Sequence, residues 1–325
     1  MPDVTFPLSH VLPGASRLAL GCMGFGGGWN DEPLAESHIA EAHAALEAAL
    51  DVGITLFDHA DIYTRGKAER VFGELFRREP ALRDRVVLQT KCGIRFADDA
   101  GPGRYDFSRD YIMAAVDASL ERLGTSHVDL LLLHRPDPLM EPAEVAEAFT
   151  RLRTSGKVRH FGVSNMRAPQ MRALERVLDV PLVANQLEMS LLAHDWLEND
   201  DAFNDAQDAG ARRWDDTLHH CQATGVQLQA WGPLAHGALS GALPADASQA
   251  VIDTAAVVQS IADRHAVSRE AIVLAWLLRH PAQIQPVIGT TRPARIRACA
   301  QALGVRLSRE EWYQLYVTAR GRALP

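Results

Sequence analysis

Lysine is scarce in this chain. Of 33 basic residues among 325, only Lys67, Lys91 and Lys157 are lysine; the rest are arginine. Ordinary positive charge is therefore written as arginine. A lysine at a particular place points to something a guanidinium cannot do, because an ammonium is a compact point charge whose pKa shifts readily. Cysteine is sparse as well. Cys22, Cys92, Cys221 and Cys299 are far apart, with no CxxC and no Cys/His cluster of zinc-like spacing. Reduced thiols and no metal are the expectation. No apolar run reaches the roughly 20 residues that span a bilayer, so no membrane contact is expected. The opening MPDVTFPLSH lacks the basic patch and apolar stretch of a secretory signal. The expected compartment is the cytoplasm. Basic residues are also outnumbered, giving a formal net charge of -8, which argues against nucleic acid as a partner. A GxGxxG turn after the first strand is missing too. The nearest run, Gly21-Cys22-Met23-Gly24-Phe25-Gly26, has the wrong spacing for a dinucleotide fold of the doubly wound kind.

What is present is an alternation. Eight short, nearly continuous apolar runs read as strands: Leu18–Gly21, Thr55–Asp58, Val86–Lys91, Asp129–His134, Val158–Ser164, Val183–Glu188, Val226–Trp231 and Gln285–Ile288. Such runs suit parallel strands buried on both faces. Helical patterns lie between them. Ser37–Leu50 places Ile39, His43, Leu46 and Leu50 on one face. Arg109–Leu123 follows Ser108 as N-cap and stops at Gly124, and Pro142–Thr154 opens with proline and stops at Ser155-Gly156. Ala255–His265, Arg269–Arg279, Pro293–Leu303 and Arg309–Ala319 complete the set, the last with Ser308 and Glu311 at capping-box spacing. Eight strand–helix alternations without a linker predict a closed α/β barrel, the (β/α)8 or TIM barrel, as one domain over residues 1–325.

Three connections are long: Cys92–Ser108, Leu191–Asp215 and Gly232–Asp253. In a barrel they emerge at the C-terminal face, where active sites sit. The stretch 195–216 carries eight carboxylates against Arg212 and Arg213. It reads either as a solvated insertion or as a lid that selects substrates or partners.

The strand ends supply a chemistry. One strand ends at Asp58, with Tyr63 five residues on; others end at Lys91 and His134. Each has an ordinary structural reading alone. Together, on successive strand ends, they converge at the barrel mouth. A tyrosine with an unperturbed pKa near ~10 is a weak acid at neutral pH. An adjacent ammonium stabilises its phenolate, and a carboxylate keeps that ammonium charged. An imidazole can hold a substrate oxygen. The set protonates an oxygen on which negative charge develops, as when hydride adds to a carbonyl. A metal-dependent hydrolase using Asp58, His59, Asp61 and His134 is the competing chemistry; those ligands are not spaced like a zinc set.

These residues carry a resemblance. From about Arg17 onward, GITLFDHADIY, VVLQTKCGI, HVDLLLLHRPDP, GKVRHFGVSN, ANQLEMS, AWGPL and VIGTTRPARI resemble segments of the aldo-keto reductase superfamily in order, and its bacterial YdhF-like branch in particular. The resemblance implies reduction of an aldehyde or ketone with NADPH and a tetrad of Asp58, Tyr63, Lys91 and His134. It implies that Ser164, Asn165 and Gln186 bind the nicotinamide carboxamide and that Trp231 stacks on its ring. Gly232, Pro233 and Leu234 begin the loop over the pyrophosphate. Gly289, Thr290 and Thr291 lead into the Pro293 helix, where backbone donors suit an anion. Arg292 and Arg295 stand where the family contacts the 2′-phosphate and adenine, and a guanidinium grips a phosphate bidentately. Cys299 departs from an asparagine that many members place against adenine. An NADPH-binding regulatory or redox-sensing subunit with slow turnover is the alternative. A small-molecule carbonyl substrate is the expected partner and a monomer the expected state. Trp29, Phe96, Trp196 and Trp214 are candidate pocket aromatics; the natural substrate is not legible.

Overall fold

A computed structural model of the protein describes residues 5–201 and 216–324. The strands are β1 (Ala19–Gly21), β2 (Leu56–Asp58), β3 (Val87–Cys92), β4 (Ile94–Arg95), β5 (Arg104–Tyr105), β6 (Val128–Leu133), β7 (Val158–Ser164), β8 (Leu182–Glu188), β9 (Gln227–Trp231) and β10 (Gln285–Ile288). Eight of them close into a parallel barrel in the order β1-β10-β9-β8-β7-β6-β3-β2. The pair β4–β5 is a separate antiparallel hairpin inside the long connection after β3. All eight expected barrel strands are found, with ends displaced by one residue at most.

The helices are α1 (Pro7–Val11), α2 (Glu36–Asp51), α3 (Lys67–Arg78), α4 (Arg109–Leu123), α5 (Pro142–Thr154), α6 (Ala168–Glu175), α7 (Asp195–Asp201), α8 (Thr217–Thr224), α9 (Gln249–His265), α10 (Arg269–Leu278), α11 (Pro293–Ala300) and α12 (Arg309–Arg320). Capping explains several ends. The hydroxyls of Ser108, Ser248, Ser268 and Ser308 accept from backbone N–H groups at the third helical residue, and α4 stops at left-handed Gly124. The face expected of α2 needs a correction. It buries Ile39, Ala42, Ala45, Leu46 and Ala49, while His43 is exposed. Small alanines let this helix lie close to the barrel, and a polar imidazole does better in water.

The core has two parts. The larger lies between the strands and the helical ring. The smaller joins Ala19, Leu56, Leu130, Leu132, Val183, Ala184 and Val287 to Phe6, Leu8, Leu12 and Ala15 from the N-terminal segment. The helix α1 thus covers the barrel floor, with the Leu8 N–H donating to Gln227 Oε1 at 3.3 Å. Above that floor the interior is polar. Gln229 Nε2 donates to Gln89 Oε1 and Gln285 Oε1, both at 2.9 Å, and Gln186 Nε2 donates to Gln229 Oε1 at 3.1 Å. Gln285 Nε2 reaches the Ser16 carbonyl at 2.6 Å. Buried amides are tolerated because they satisfy one another.

The acidic stretch 195–216, read as a solvated insertion or a lid, falls partly outside the described residues, at 202–215. Its flanks are structural. Glu198 is buried on α7 and accepts from Arg320 Nε at 2.8 and 2.9 Å and from the Tyr316 hydroxyl at 3.1 Å, while Asp216 pairs with Arg172. Among the described residues, no helix is long and apolar enough to cross a membrane.

Close approach of α3 to α4 depends on Gly73. A Cβ there would stand 2.1 Å from the Arg122 carbonyl oxygen. Gly73→Ala is expected to cost about 1–3 kcal/mol through overpacking, read as a lower denaturation midpoint in urea. An unchanged midpoint would show that the two helices part freely.

Candidate active site

Asp58 ends β2, Lys91 is the last residue but one of β3, and His134 directly follows β6. These strands are neighbours in the barrel. The Lys91 ammonium sits at the centre. Its Nζ lies 2.6 and 2.8 Å from the two Asp58 oxygens, 3.0 Å from the His59 carbonyl and 3.0 Å from the Tyr63 hydroxyl. Gln89 Nε2 adds a 2.5 Å contact to Asp58 Oδ1 and links the site to the interior amides. The Lys91 side chain is 0% exposed and that of Asp58 is 3%. Tyr63 is half-buried, and the His134 ring meets it edge-on at 5.9 Å between centroids. The four tetrad residues are therefore brought together.

The electrostatics follow from burial. Desolvation acts to lower the Lys91 pKa, but the Asp58 carboxylate and Tyr63 outweigh it and hold the ammonium above its ordinary value. Burial raises the Tyr63 pKa more than Lys91 lowers it, and Asp58 adds to the rise. This reverses the expected direction: without a bound partner the phenol is held more firmly protonated. Burial, with the positive charges of Lys91 and Arg135, pushes His134 well below its ordinary value. It is a neutral imidazole, and its Nδ1 is buried with no hydrogen-bond partner among the described residues. Beside the tetrad, burial and the Glu69 carboxylate push Asp61 up to about 8. Its Oδ1 is also buried with no partner among the described residues.

The expected cofactor residues form two groups. In the first, Asn165 has left-handed backbone (φ 58) and is tied on both ends of its amide. Its Nδ2 donates to the Ser164 hydroxyl at 2.8 Å and the His134 carbonyl at 3.2 Å; its Oδ1 accepts from Trp231 Nε1 at 3.0 Å. The Ser164 hydroxyl donates to the Gln186 carbonyl at 2.9 Å. The indole of Trp231 is thus fixed at the mouth, with the Arg135 guanidinium 5.5 Å from its ring centre.

In the second group, Gly232 (φ 65), Pro233 and Leu234 lead into three left-handed residues, Ala235 (φ 45), His236 (φ 55) and Gly237 (φ 86). This folds the loop against α11, where a Cβ on Gly237 would lie 3.7 Å from an Arg295 nitrogen. Gly289 is exposed, Thr290 Oγ1 accepts from the Arg292 N–H at 3.3 Å, and Thr291 Oγ1 donates to Glu41 at 2.6 Å. Arg292 is exposed and caps α11 by its backbone. Arg295 is half-buried and pairs with Glu270 at 3.4 Å. Ser240 Oγ, on the same loop as Gly237, is buried with no partner among the described residues. Cys299 lies in the apolar core, its thiol pushed up to about 12 by burial, so it offers no polar contact at the surface.

Sequence reasoning missed Gln89, Ser240, Glu270 and Arg135. Gln89 carries a signal: it lies two residues before Lys91, so both side chains point into the barrel. Arg135 follows His134 directly, Glu270 comes from α10, and Ser240 arrives through the folding of its loop. Of the four candidate pocket aromatics, Trp29 and Phe96 are exposed. Trp196 is buried against Trp276 and His280 instead, at 5.8 and 5.2 Å. Trp214 lies outside the described residues. Among the described residues no group of three or more His, Cys, Asp or Glu is arranged to hold a metal ion.

A closed parallel barrel thus carries a lysine–aspartate–tyrosine cluster at its mouth, and the comparisons with known proteins place it among the oxidoreductases. A sequence model of the aldo/keto reductase family matches residues 17–316; the chain belongs to that family. It is 40% identical over 300 residues to 6-dehydroglucose reductase of Agrobacterium fabrum, covering 91% of this chain and 93% of that protein. To oxidoreductase YdhF of Escherichia coli it is 38% identical, covering 86% and 88%. A crystal structure of an aldo-keto reductase from Klebsiella pneumoniae in complex with NADPH superposes with a TM-score of 0.70 at 28% identity, covering 93% of this chain and 90% of that one.

Two outcomes test the electrostatic description. Lys91→Met leaves Asp58 buried without a counter-charge and is expected to cost about 3–5 kcal/mol in urea unfolding. Adding Asp58→Asn should recover most of that loss; no recovery would show that packing dominates over charge. Asp61 gives a pH signature. Its folded pKa is raised, so between the unfolded value near ~4 and about 8 the folded protein holds a proton that the unfolded chain releases. Stability contributed by the protonated acid is full below that window and is lost as pH rises through it. Asp61→Asn should therefore raise the thermal midpoint at pH 8 and leave it near wild type at pH 4. Equal effects at both pH values would refute the shift.

Proposed function

We propose that the protein reduces an aldehyde or ketone to an alcohol with NADPH, and that Tyr63 supplies the proton. The observation that carries this reading is the 3.0 Å contact between Lys91 Nζ and the Tyr63 hydroxyl, with Asp58 holding the same ammonium at 2.6 and 2.8 Å. The residues present fit the dinucleotide. What supports the fit is a fixed indole, a loop with three left-handed residues, a buried Ser240 hydroxyl with no partner among the described residues, and the exposed Arg292 at the start of α11. Ser164, Asn165, Gln186 and Trp231 would hold the nicotinamide end. Gly232, Pro233, Leu234 and Gly289, Thr290 and Thr291 would hold the phosphates, with Arg292 and Arg295 at the 2′-phosphate.

When bound, the dinucleotide supplies hydride to the carbonyl carbon. The chain handles the oxygen. His134, kept neutral, positions it by hydrogen bonding through Nε2. Tyr63 donates its phenolic proton as negative charge develops there. Lys91 stabilises the phenolate that is left, and Asp58 keeps Lys91 charged and aimed. A phenol that burial holds protonated suits this role, because the acid must arrive loaded. For the substrate we infer a polyhydroxylated aldehyde, a reading supported by the name of the 40% identical relative, 6-dehydroglucose reductase.

Tryptophan fluorescence titration with NADPH and NADH, followed by steady-state reduction of para-nitrobenzaldehyde and of sugar-derived aldehydes, tests the proposal. Tighter binding of NADPH with quenching supports Trp231 and the two arginines. Tyr63→Phe should lower kcat by roughly 10²–10⁴-fold while leaving the NADPH Kd near wild type. Full activity in that variant would remove Tyr63 as the acid. Tight NADPH binding with negligible turnover of every aldehyde would favour a regulatory subunit.

A further inference from the structure

Directly after Tyr63 the backbone does something costly. Thr64 (φ 47), Arg65 (φ 58) and Gly66 (φ 80) are all left-handed. Glycine takes this conformation freely, but a side chain with a Cβ does not, and a β-branched residue such as threonine takes it least readily of all. Three in succession persist only where the surroundings hold them. The holding contacts come from three directions. The Thr64 hydroxyl, buried, donates to the Phe25 carbonyl in the β1–α2 connection at 2.8 Å and lies 2.7 Å from the Tyr63 carbonyl. The Arg65 guanidinium stands 5.2 Å over the Phe96 ring of the β4–β5 connection, and its Nε is 3.7 Å from Asp31. At Gly66 an added Cβ would meet the Arg122 side chain of α4 at 2.9 Å. Of these contacts, the Thr64 hydroxyl bond is a buried hydrogen bond and the nearest in sequence to Tyr63.

We propose that Thr64 is a positioning residue for Tyr63: its hydroxyl bond to the Phe25 carbonyl holds the left-handed turn that aims the phenol at Lys91 and the barrel mouth. This rests on the reading of Tyr63 as the acid. The physical argument is one of leverage. Tyr63 is the first residue of the turn, and the Cα–Cβ direction of Tyr63 changes with the backbone that follows it. If the turn relaxes toward right-handed geometry, the phenol oxygen leaves its 3.0 Å contact with Lys91. A misplacement of about 1 Å at a reacting group is enough to lower a rate by ~10²-fold.

Three substitutions separate positioning from simple structural support. Thr64→Ser keeps the hydroxyl, Thr64→Val keeps the shape without it, and Thr64→Gly removes both the tether and the conformational cost. With para-nitrobenzaldehyde and NADPH, Thr64→Ser should stay within about twofold of wild type. Thr64→Val and Thr64→Gly should lose roughly 10- to 100-fold in kcat, with the NADPH Kd unchanged. In Thr64→Gly the loss should come with a thermal midpoint at or above that of wild type, since the strain is gone. In a Tyr63→Phe background Thr64→Val should cost nothing further. The proposal is overturned if Thr64→Gly keeps its kcat, or if Thr64→Val loses the same factor with and without the Tyr63 hydroxyl. Fluorotyrosine-labelled protein gives a readout without turnover: the fluorine resonance that disappears in Tyr63→Phe should move in Thr64→Gly and not in Thr64→Ser. An unmoved resonance defeats the positioning role even if wild-type protein reduces no aldehyde offered, so this failure is distinct from failure of the reductase reading.

Discussion

The buried contact between Lys91 and Asp58 is the constraint around which the barrel mouth is built. An ammonium with no exposed surface and a carboxylate almost as deeply buried are both costly to remove from water. The cost is offset only if every donor and acceptor is matched, and here it is. Asp58 accepts from Lys91 and Gln89, and the ammonium also reaches the His59 carbonyl and the Tyr63 hydroxyl. Meeting these demands fixes the relative heights of β2 and β3, whose register pairs Asp58 with Gln89. Removing water from the ion pair also strengthens its field at the one group it leaves accessible, the phenol of Tyr63.

That field would be of little use in a deformable frame. Below the ion pair, the buried amides of Gln89, Gln229, Gln285 and Gln186 run across the barrel as mutual donors and acceptors. An apolar filling would pack equally well but would not specify rotation about the axis of the site. A hydrogen-bonded filling does, because each amide is satisfied in one arrangement only. The same logic appears at the rim. Asn165 spends both ends of its amide on Ser164, the His134 carbonyl and the Trp231 indole. It therefore couples the ends of β6, β7 and β9 before any ligand arrives. Rigid support of this kind is what lets loops above a barrel vary while the chemistry beneath them is kept.

Two loops at the candidate site each contain three left-handed residues in succession, Thr64–Gly66 and Ala235–Gly237. Neither run consists of glycine alone. Conformational cost is concentrated where Tyr63 leaves its strand and where the chain turns toward α11, and well-packed neighbours sustain it in both places. A sequence rule that assigns such geometry to glycine passes over Thr64, Arg65, Ala235 and His236.

The sequence by itself determined the barrel and the convergence of Asp58, Lys91 and His134 at its mouth. Short continuous apolar runs such as Leu130–Leu133 suit strands buried on two faces, and eight of them alternating with capped helices favour one economical closure. Asp58, Lys91 and His134 were legible because parallel strands end on one side, so residues at strand ends converge whatever the loops do. A lysine in an arginine-rich chain marked the place where a point charge was needed. Tertiary structure alone decided the rest. It set the direction of the Tyr63 pKa, because local charge predicts a fall while burial, invisible in a linear chain, outweighs it. It placed His43 outside and Trp196 away from the mouth, since helix rotation and loop path depend on which neighbour fills the space. It also brought Glu270 of α10 to Arg295 of α11, and folded the loop at Gly237 between Ser240 and Arg295. Contacts of that kind join segments whose mutual placement no short-range periodicity encodes.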